Sequence, residues 1–429
     1  MKPPFRFWCK AKVLYTDLCI IIHSADLSTV FFAAHRYILR ISLARPHNQL
    51  VFFRLLIFSA KYSIIAKADV RIINILSVFI QGFGCQEVTM KFAIDAFGGD
   101  NAPSSVINGT LDAMLAHDDF SVIFTGDETR IREELAARET DFNRLSSRIE
   151  IVHAPDIITC DEQPTLAIKR KKESSLVKAL RIVSDGEADC FISAGSSGAI
   201  LAGATLIVKR IPGVLRPALA PLLPTLKGPV MLIDCGANAD CKPEYLSQFA
   251  EMGTAYMKRV VGIENPRIGL INNGAEEGKG NELTKAAYSL LKENPNIIFT
   301  GNCEAREIMS GDYDVVVCDG FVGNAILKAM EGTIAALLSM LKTELMSSTI
   351  TKVGAAMSKS AFRTLKAKMD YREYGGAPLL GIRSGIIKAH GSSNARAIYS
   401  AVEQARKLIN GNVTGQIAEF VVNTPKTIE

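Results

Sequence analysis

Six short apolar runs in this chain end the same way, on a turn of glycines and small polar residues that opens a helix, and this recurrence narrows the possible folds most. The clearest case is Cys190-Phe-Ile192, followed by Ser193-Ala-Gly-Ser-Ser-Gly198 and a helix expected over Ala199–Arg210. A strand that turns directly into a helix leaves several backbone N–H groups unpaired near one point, and the helix dipole adds partial positive charge there. Such a turn favours an anion. Similar ends follow Asp95 (Gly98-Gly-Asp-Asn101), Asp234 (Cys-Gly-Ala-Asn238-Ala-Asp240), Asn272 (Asn273-Gly274 to Asn281-Glu282), Asp319 (Gly320-Phe-Val-Gly323-Asn324) and Lys388 (Ala-His390-Gly-Ser-Ser393-Asn394).

The runs themselves read as strands over 92–95, 122–125, 149–152, 191–193, 230–234, 267–271, 297–300 and 315–318, with helical segments between them. Alternation at this spacing predicts an α/β fold with a mostly parallel sheet and crossover helices on both faces. Ligands of such sheets sit at the carboxyl ends of the strands, where the glycines of this chain collect.

Charge is uneven. Residues 1–89 carry 11 Lys/Arg against 4 Asp/Glu and 13 of the chain's 31 aromatics, whereas 90–429 carry 38 against 40. The main segment therefore lacks the basic footprint of a nucleic-acid binder. The first 89 residues show no sustained period and no run long enough for a membrane span. They read as an N-terminal extension or an over-extended gene start, with Met90 opening the first domain; 90–412 form that domain and 413–429 a tail. The nine cysteines make no CxxC pair, as in a reduced cytoplasmic protein.

GxxxxGK[ST] and GxGxxG are missing, so neither a P-loop nor a dinucleotide site is expected. Asp95, Asp234, Asp240 and Asp319 suit caps of turns and helices better than a metal site. The segment Lys388–Ser393 is more pointed. In an extended stretch Lys388 and His390 alternate onto one face, and Gly391-Ser392-Ser393 begins a helix whose N–H groups point the same way. A lysine, an imidazole and a helix start make an oxyanion or phosphate clamp.

Seven segments, taken in order, resemble the motifs of bacterial phosphate acyltransferases. They are Lys91–Pro103 (KFAIDAFGGDNAP), Ser193–Ala199 (SAGSSGA), Asp234–Pro243 (DCGANADCKP), Lys279–Lys285 (KGNELTK), Asp319–Asn324 (DGFVGN), Tyr374–Gly381 (YGGAPLLG) and Lys388–Ser393 (KAHGSS). The resemblance covers about 90–410, with Ser196-Ser197 where the family commonly has Asn-Thr and Phe97 where it often has Met. It implies a three-layer α/β/α fold related to the phosphotransacetylases and the isocitrate/isopropylmalate dehydrogenases, a homodimer and no nucleotide cofactor. It also implies acyl transfer from acyl carrier protein to inorganic phosphate, and transient membrane contact where a glycerol-3-phosphate acyltransferase uses the acyl phosphate.

For that reaction, Gly195, Ser196, Ser197, Gly198, Gly391, Ser392 and Ser393 are expected to hold phosphate with Lys388, and Asn238, Asn324 or His390 to polarise the thioester carbonyl. The basic run Lys169-Arg170-Lys171-Lys172 is expected to meet the acidic carrier, although a solvated helix face reads equally well. One helix between Thr349 and Asp370 carries Ile350, Val353, Met357, Phe362, Leu365 and Met369 on one face amid Lys and Arg, the pattern of a helix lying on a membrane. The stripe Ile326, Met330, Ile334, Leu337, Leu341 and Leu345 reads first as core packing. Two alternatives stay open: a phosphotransacetylase using acyl-coenzyme A, and a non-catalytic lipid-binding scaffold.

Overall fold

The computed structural model of the 429-residue chain describes residues 90–369 and 375–423. The expected extension 1–89, Tyr374 and residues 424–429 lie outside the described residues, as do the side chains of Lys366–Met369.

Strands β1 (Met90–Asp95), β2 (Phe120–Gly126), β3 (Ile149–His153), β4 (Cys190–Ser193), β5 (Ala218–Leu219), β11 (Ala377–Leu380) and β12 (Gly385–Lys388) form a seven-stranded sheet in the order β3-β2-β1-β4-β12-β11-β5. A second sheet contains β6 (Leu222–Pro224), β7 (Pro229–Ile233), β8 (Arg267–Asn272), β9 (Ile298–Glu304) and β10 (Val315–Val317), in the order β6-β7-β10-β8-β9. The eight expected strands are all present and pair in parallel with one another within each sheet. Of the four others, only the end of β12 at Lys388 was legible, as part of an extended stretch. β5 and β6 are too short to show a period, and β11 and β12 form an antiparallel pair whose second member runs parallel to β4.

Residue alternation explains why the first sheet is covered on both faces. Phe92 and Ile94 of β1, Val122 and Phe124 of β2, and Cys190 and Ile192 of β4 are buried in one cluster. Ala93, Ile123 and Phe191, the residues between them, are buried in another. Side chains of a strand point alternately to opposite faces, so both faces must be apolar. Helices α1 (Ser104–Ala116) and α12 (Ala395–Asn410) contribute to the first cluster, and α4 (Pro164–Arg170), α5 (Ser175–Ser184) and α6 (Ser197–Gly203) to the second. Lys209 adopts φ of 76°, so the helical path ends after a π turn over Ala204–Val208 and excludes Arg210. Met231, Ile233, Leu270 and Val315 of the second sheet join the first cluster, together with Phe249 and Met252 of α7 (Pro243–Tyr256). Residues 413–423, set apart above as a tail, form helix α13 (Val413–Asn423), with Val413 and Ile417 buried in the same core.

The expected core role of the long stripe needs correction. In α9 (Gly320–Leu345), Ile326, Leu327 and Met330 pack on the second sheet, but the helix is about 39 Å long and its outer turns expose Leu337 and Met340 by 57% and 67%. The single helix expected beyond it is two, α10 (Thr349–Met357) and α11 (Lys359–Met369), because the first is capped at Ser358. Ile350 and Met357 are 85% and 82% exposed, and Phe362 is half-buried.

Candidate active site

Three neighbouring strands of the first sheet, β1, β4 and β12, are mutually parallel, so their carboxyl ends open on one edge. The loops that leave them are locked together. Ser193 is in register with Lys388, and Ala389 N–H donates to Ser193 O at 2.9 Å. Asp100 N–H donates to Gly391 O at 2.8 Å, and the Asn101 amide reaches the carbonyls of Ser392 and Ser393. A methyl at Gly99 would lie 2.8 Å from Gly391 O and 2.9 Å from Ala194 Cβ, so the three loops meet at that residue. The structure thus brings Asp95–Asn101, Ser193–Gly198 and Lys388–Ser393 into one site.

Within it the expected anion-binding residues divide. Gly195 N–H donates to Ser193 Oγ at 2.9 Å, Ser392 N–H to His390 Nδ1 at 3.2 Å and Ser393 N–H to His390 O at 3.0 Å, so these three donors are already committed. Ser196 caps α6, its Oγ accepting from Ala199 N–H. That leaves the first-turn N–H groups of Ser197 and Gly198 without a helix acceptor. Ser197 is exposed, while Gly198 packs under Pro164 of α4. Ser393 Oγ is buried and has no partner among the described residues.

Lys388 is half-buried at the end of β12. Burial is the main force on its ammonium, with Lys328 second, and together they bring it down to about 8 from its ordinary 10.5, against the opposing charges of Glu331 and Asp100. Lys328 and Glu331 lie on α9 and pair at 2.7 Å. Asn324 lies four residues before Lys328 and seven before Glu331, hence on the same helix face. This is how the second sheet reaches the site, and neither charged residue carried any signal in the sequence. His390 Nδ1 accepts from Ser392 N–H and also contacts Ser392 Oγ at 2.9 Å, so the hydrogen of the neutral ring sits on Nε2.

Asn238 is placed differently from the role expected of it. Its Nδ2 donates to Pro217 O at 2.8 Å and to Asp234 Oδ2 at 3.0 Å, which uses both hydrogens. Asp234 also accepts the N–H groups of Leu219, Ala237 and Asn238, and burial, opposed by these bonds, raises its carboxyl. Asn238 is therefore a clamp on a buried carboxylate and is not available to polarise a carbonyl. Gly320 and Gly323 let the first turn of α9 sit directly on this loop, since a methyl at either would strike the Asp234–Asn238 segment. Asp319 caps α9 through Val322 N–H at 2.9 Å.

In the basic run, Lys171 donates to Glu162 and to Ile157 O, both at 2.8 Å, and so ties down the loop before α4; Lys169, Arg170 and Lys172 are exposed. Burial holds the thiols of Cys190, Cys235 and Cys318 well above their ordinary range, which rules them out as thiolate nucleophiles.

Comparison with known proteins adds the family. Residues 90–416 match the model of a family described as fatty acid synthesis protein. A phosphate acyltransferase from Clostridium perfringens is 49% identical over 332 residues, 77% of this chain and 97% of that protein. One from Clostridium acetobutylicum is 50% identical over 329 residues, 77% of this chain and 98% of its own. Among solved structures, a phosphotransacetylase from Streptococcus pyogenes aligns over 79% of this chain and 99% of its own with 17% identity and a TM-score of 0.49. The chain belongs to the phosphate acyltransferase family and is an acyltransferase.

Proposed function

We propose that the protein transfers a fatty acyl group from the thioester of acyl carrier protein to inorganic phosphate, forming an acyl phosphate for phosphatidic acid synthesis. The observation that carries this reading is the junction of three strand ends around a half-buried lysine, beside helix-start N–H groups that have no acceptor within their helix. Phosphate is itself the nucleophile. One of its oxygens attacks the carbonyl carbon, the C–S bond breaks, and the hydrogen of the phosphate monoanion or dianion ends on the departing sulfur. A thiolate leaves readily, so the protein has to supply position and charge stabilisation more than acid catalysis.

Lys388 and the N–H groups of Ser197, Gly198 and Gly391 hold the phosphate, with the hydroxyl of Ser393 turned to it. His390 Nε2–H, or the amide of Asn324 on α9, donates to the carbonyl oxygen as negative charge develops there. Lys169, Arg170 and Lys172 on and just after α4 meet the carrier protein. The exposed apolar residues of α9, α10 and α11 support two further roles, a homodimer contact and a transient membrane contact, where a glycerol-3-phosphate acyltransferase takes the product.

The rival donor is acyl-coenzyme A. Turnover measured with acyl carrier protein or acyl-coenzyme A, each with and without phosphate, separates them. Phosphate-dependent release of thiol from the carrier, faster than from coenzyme A, is expected; the reverse preference would make the enzyme a phosphotransacetylase in the narrower sense.

A further inference from the structure

We infer that Asp95 and Ser193 are positioning residues of the site, a buried pair that sets two of its loops against each other and so fixes where phosphate sits. The inference rests on the phosphate-transfer reading. Ser193 closes β4 and is 2% exposed; its Oγ is 2.7 Å from Asp95 Oδ2 at the end of β1, also 2% exposed. The same Oγ accepts Gly195 N–H at 2.9 Å. A hydroxyl has one hydrogen, and an ionised carboxylate only accepts. The hydrogen of Ser193 therefore points to Asp95 and its lone pair to Gly195. With its hydrogen committed to Asp95, this serine has none to donate to phosphate, although it lies in the middle of the site.

The other carboxylate oxygen, Asp95 Oδ1, accepts Phe97 N–H at 3.3 Å. Gly98 leans on the pair so closely that a methyl there would be 2.6 Å from Ser193 Oγ, 2.7 Å from Gly195 N and 2.8 Å from Asp95 Oδ2. One carboxylate thus indexes the Phe97–Asn101 loop to the Ala194–Gly198 loop. Burial raises the Asp95 carboxyl, and hydrogen bonds from Ser175, Ser193 and the N–H groups of Phe97 and Gly98 oppose that rise.

Asn cannot replace Asp95 in this network. Its NH2 would face either the Phe97 N–H, two donors head to head, or Ser193 Oγ, which would displace the hydroxyl hydrogen from its acceptor. Ala at 193 is the milder change, removing only the link. Steady-state kinetics of the full-length D95N, S193A and D95N/S193A proteins, with thermal melts and calorimetric titration of inorganic phosphate, test the inference. S193A should raise the KM for phosphate several-fold and D95N about tenfold, because D95N breaks the link and also sets two donors against each other. The KM for the acyl donor should stay within about twofold, and the double variant should be no worse than D95N, because the two act as one unit.

A phosphate KM unchanged in folded S193A overturns the inference. So does a collapse of kcat with phosphate KM unchanged, which would make Ser193 a reacting group. If D95N fails to fold, S193A alone decides. Wild-type protein without phosphate-dependent turnover would instead sink the functional reading itself.

Discussion

The hydrogen on Lys388 should set the alkaline limit of phosphate binding. The ammonium is brought to about 8 by burial and by Lys328. If only the charged form binds phosphate, the apparent KM grows with the neutral fraction of the free enzyme. For a group at about 8, roughly 90% is charged at pH 7 and roughly 10% at pH 9, so the KM for phosphate should rise about tenfold between them. Arg stays charged throughout this range, so K388R should show a weaker baseline affinity from its changed shape but a nearly flat profile from pH 7 to 9. The comparison also removes any change in phosphate ionisation, which both enzymes share. The sign for stability is the opposite. A lysine depressed in the fold binds fewer hydrogens there than in the unfolded chain, so its contribution should improve as pH rises from about 8 toward 10.5. Parallel profiles for wild type and K388R would refute the assignment of this lysine to phosphate.

Three other outcomes follow from the same structure. Charge reversal at Lys169 and Lys172, which leaves the Lys171–Glu162 tie in place, should raise the KM for acyl carrier protein several-fold at low salt, an effect that fades as ionic strength rises; an unchanged KM returns the run to a solvated surface. I350D/M357D, at the two most exposed apolar positions of α10, should abolish flotation with anionic vesicles while preserving turnover in solution; dissociation into inactive monomers would assign that face to a partner subunit. A variant beginning at Met90, the first residue of β1, should keep its melting temperature and turnover; loss of either would give residues 1–89 a role in the enzyme.

Much of the site was legible because the carboxyl ends of parallel strands are marked by composition. The turn after Cys190–Ser193 needs only local periodicity and lies where expected, whereas β12 stops at Lys388, His390 lies in the loop beyond it, and the helix expected at Gly391 begins only at Ala395, with Asn394 as its cap. What stayed hidden depends on contacts distant in sequence. Asp95 and Ser193 are 98 residues apart, and nothing near either residue announces the bond between them. Lys328 and Glu331 reach Lys388 from the other sheet, along a helix whose apolar stripe looked like core. That stripe misled because a period of 3.6 shows which residues share a face, and not what covers it. Asn238 sat at a strand end like the other candidates, and only its two acceptors distinguish a clamp on Asp234 from a group that could act on substrate. Lys171 was indistinguishable from Lys169 until its bond to Glu162 was seen.

The central claim is that phosphate, held where β1, β4 and β12 end, attacks the thioester directly. Intact-protein mass measurement during a single turnover tests it. Enzyme mixed with acyl carrier protein thioester in phosphate-free buffer should gain no acyl mass and release no thiol. Addition of phosphate should then yield one acyl phosphate per thiol released, with the enzyme mass unchanged throughout. An enzyme that acquires the acyl group before phosphate is added would contradict the account, because a serine or another side chain would then be doing the work assigned here to phosphate.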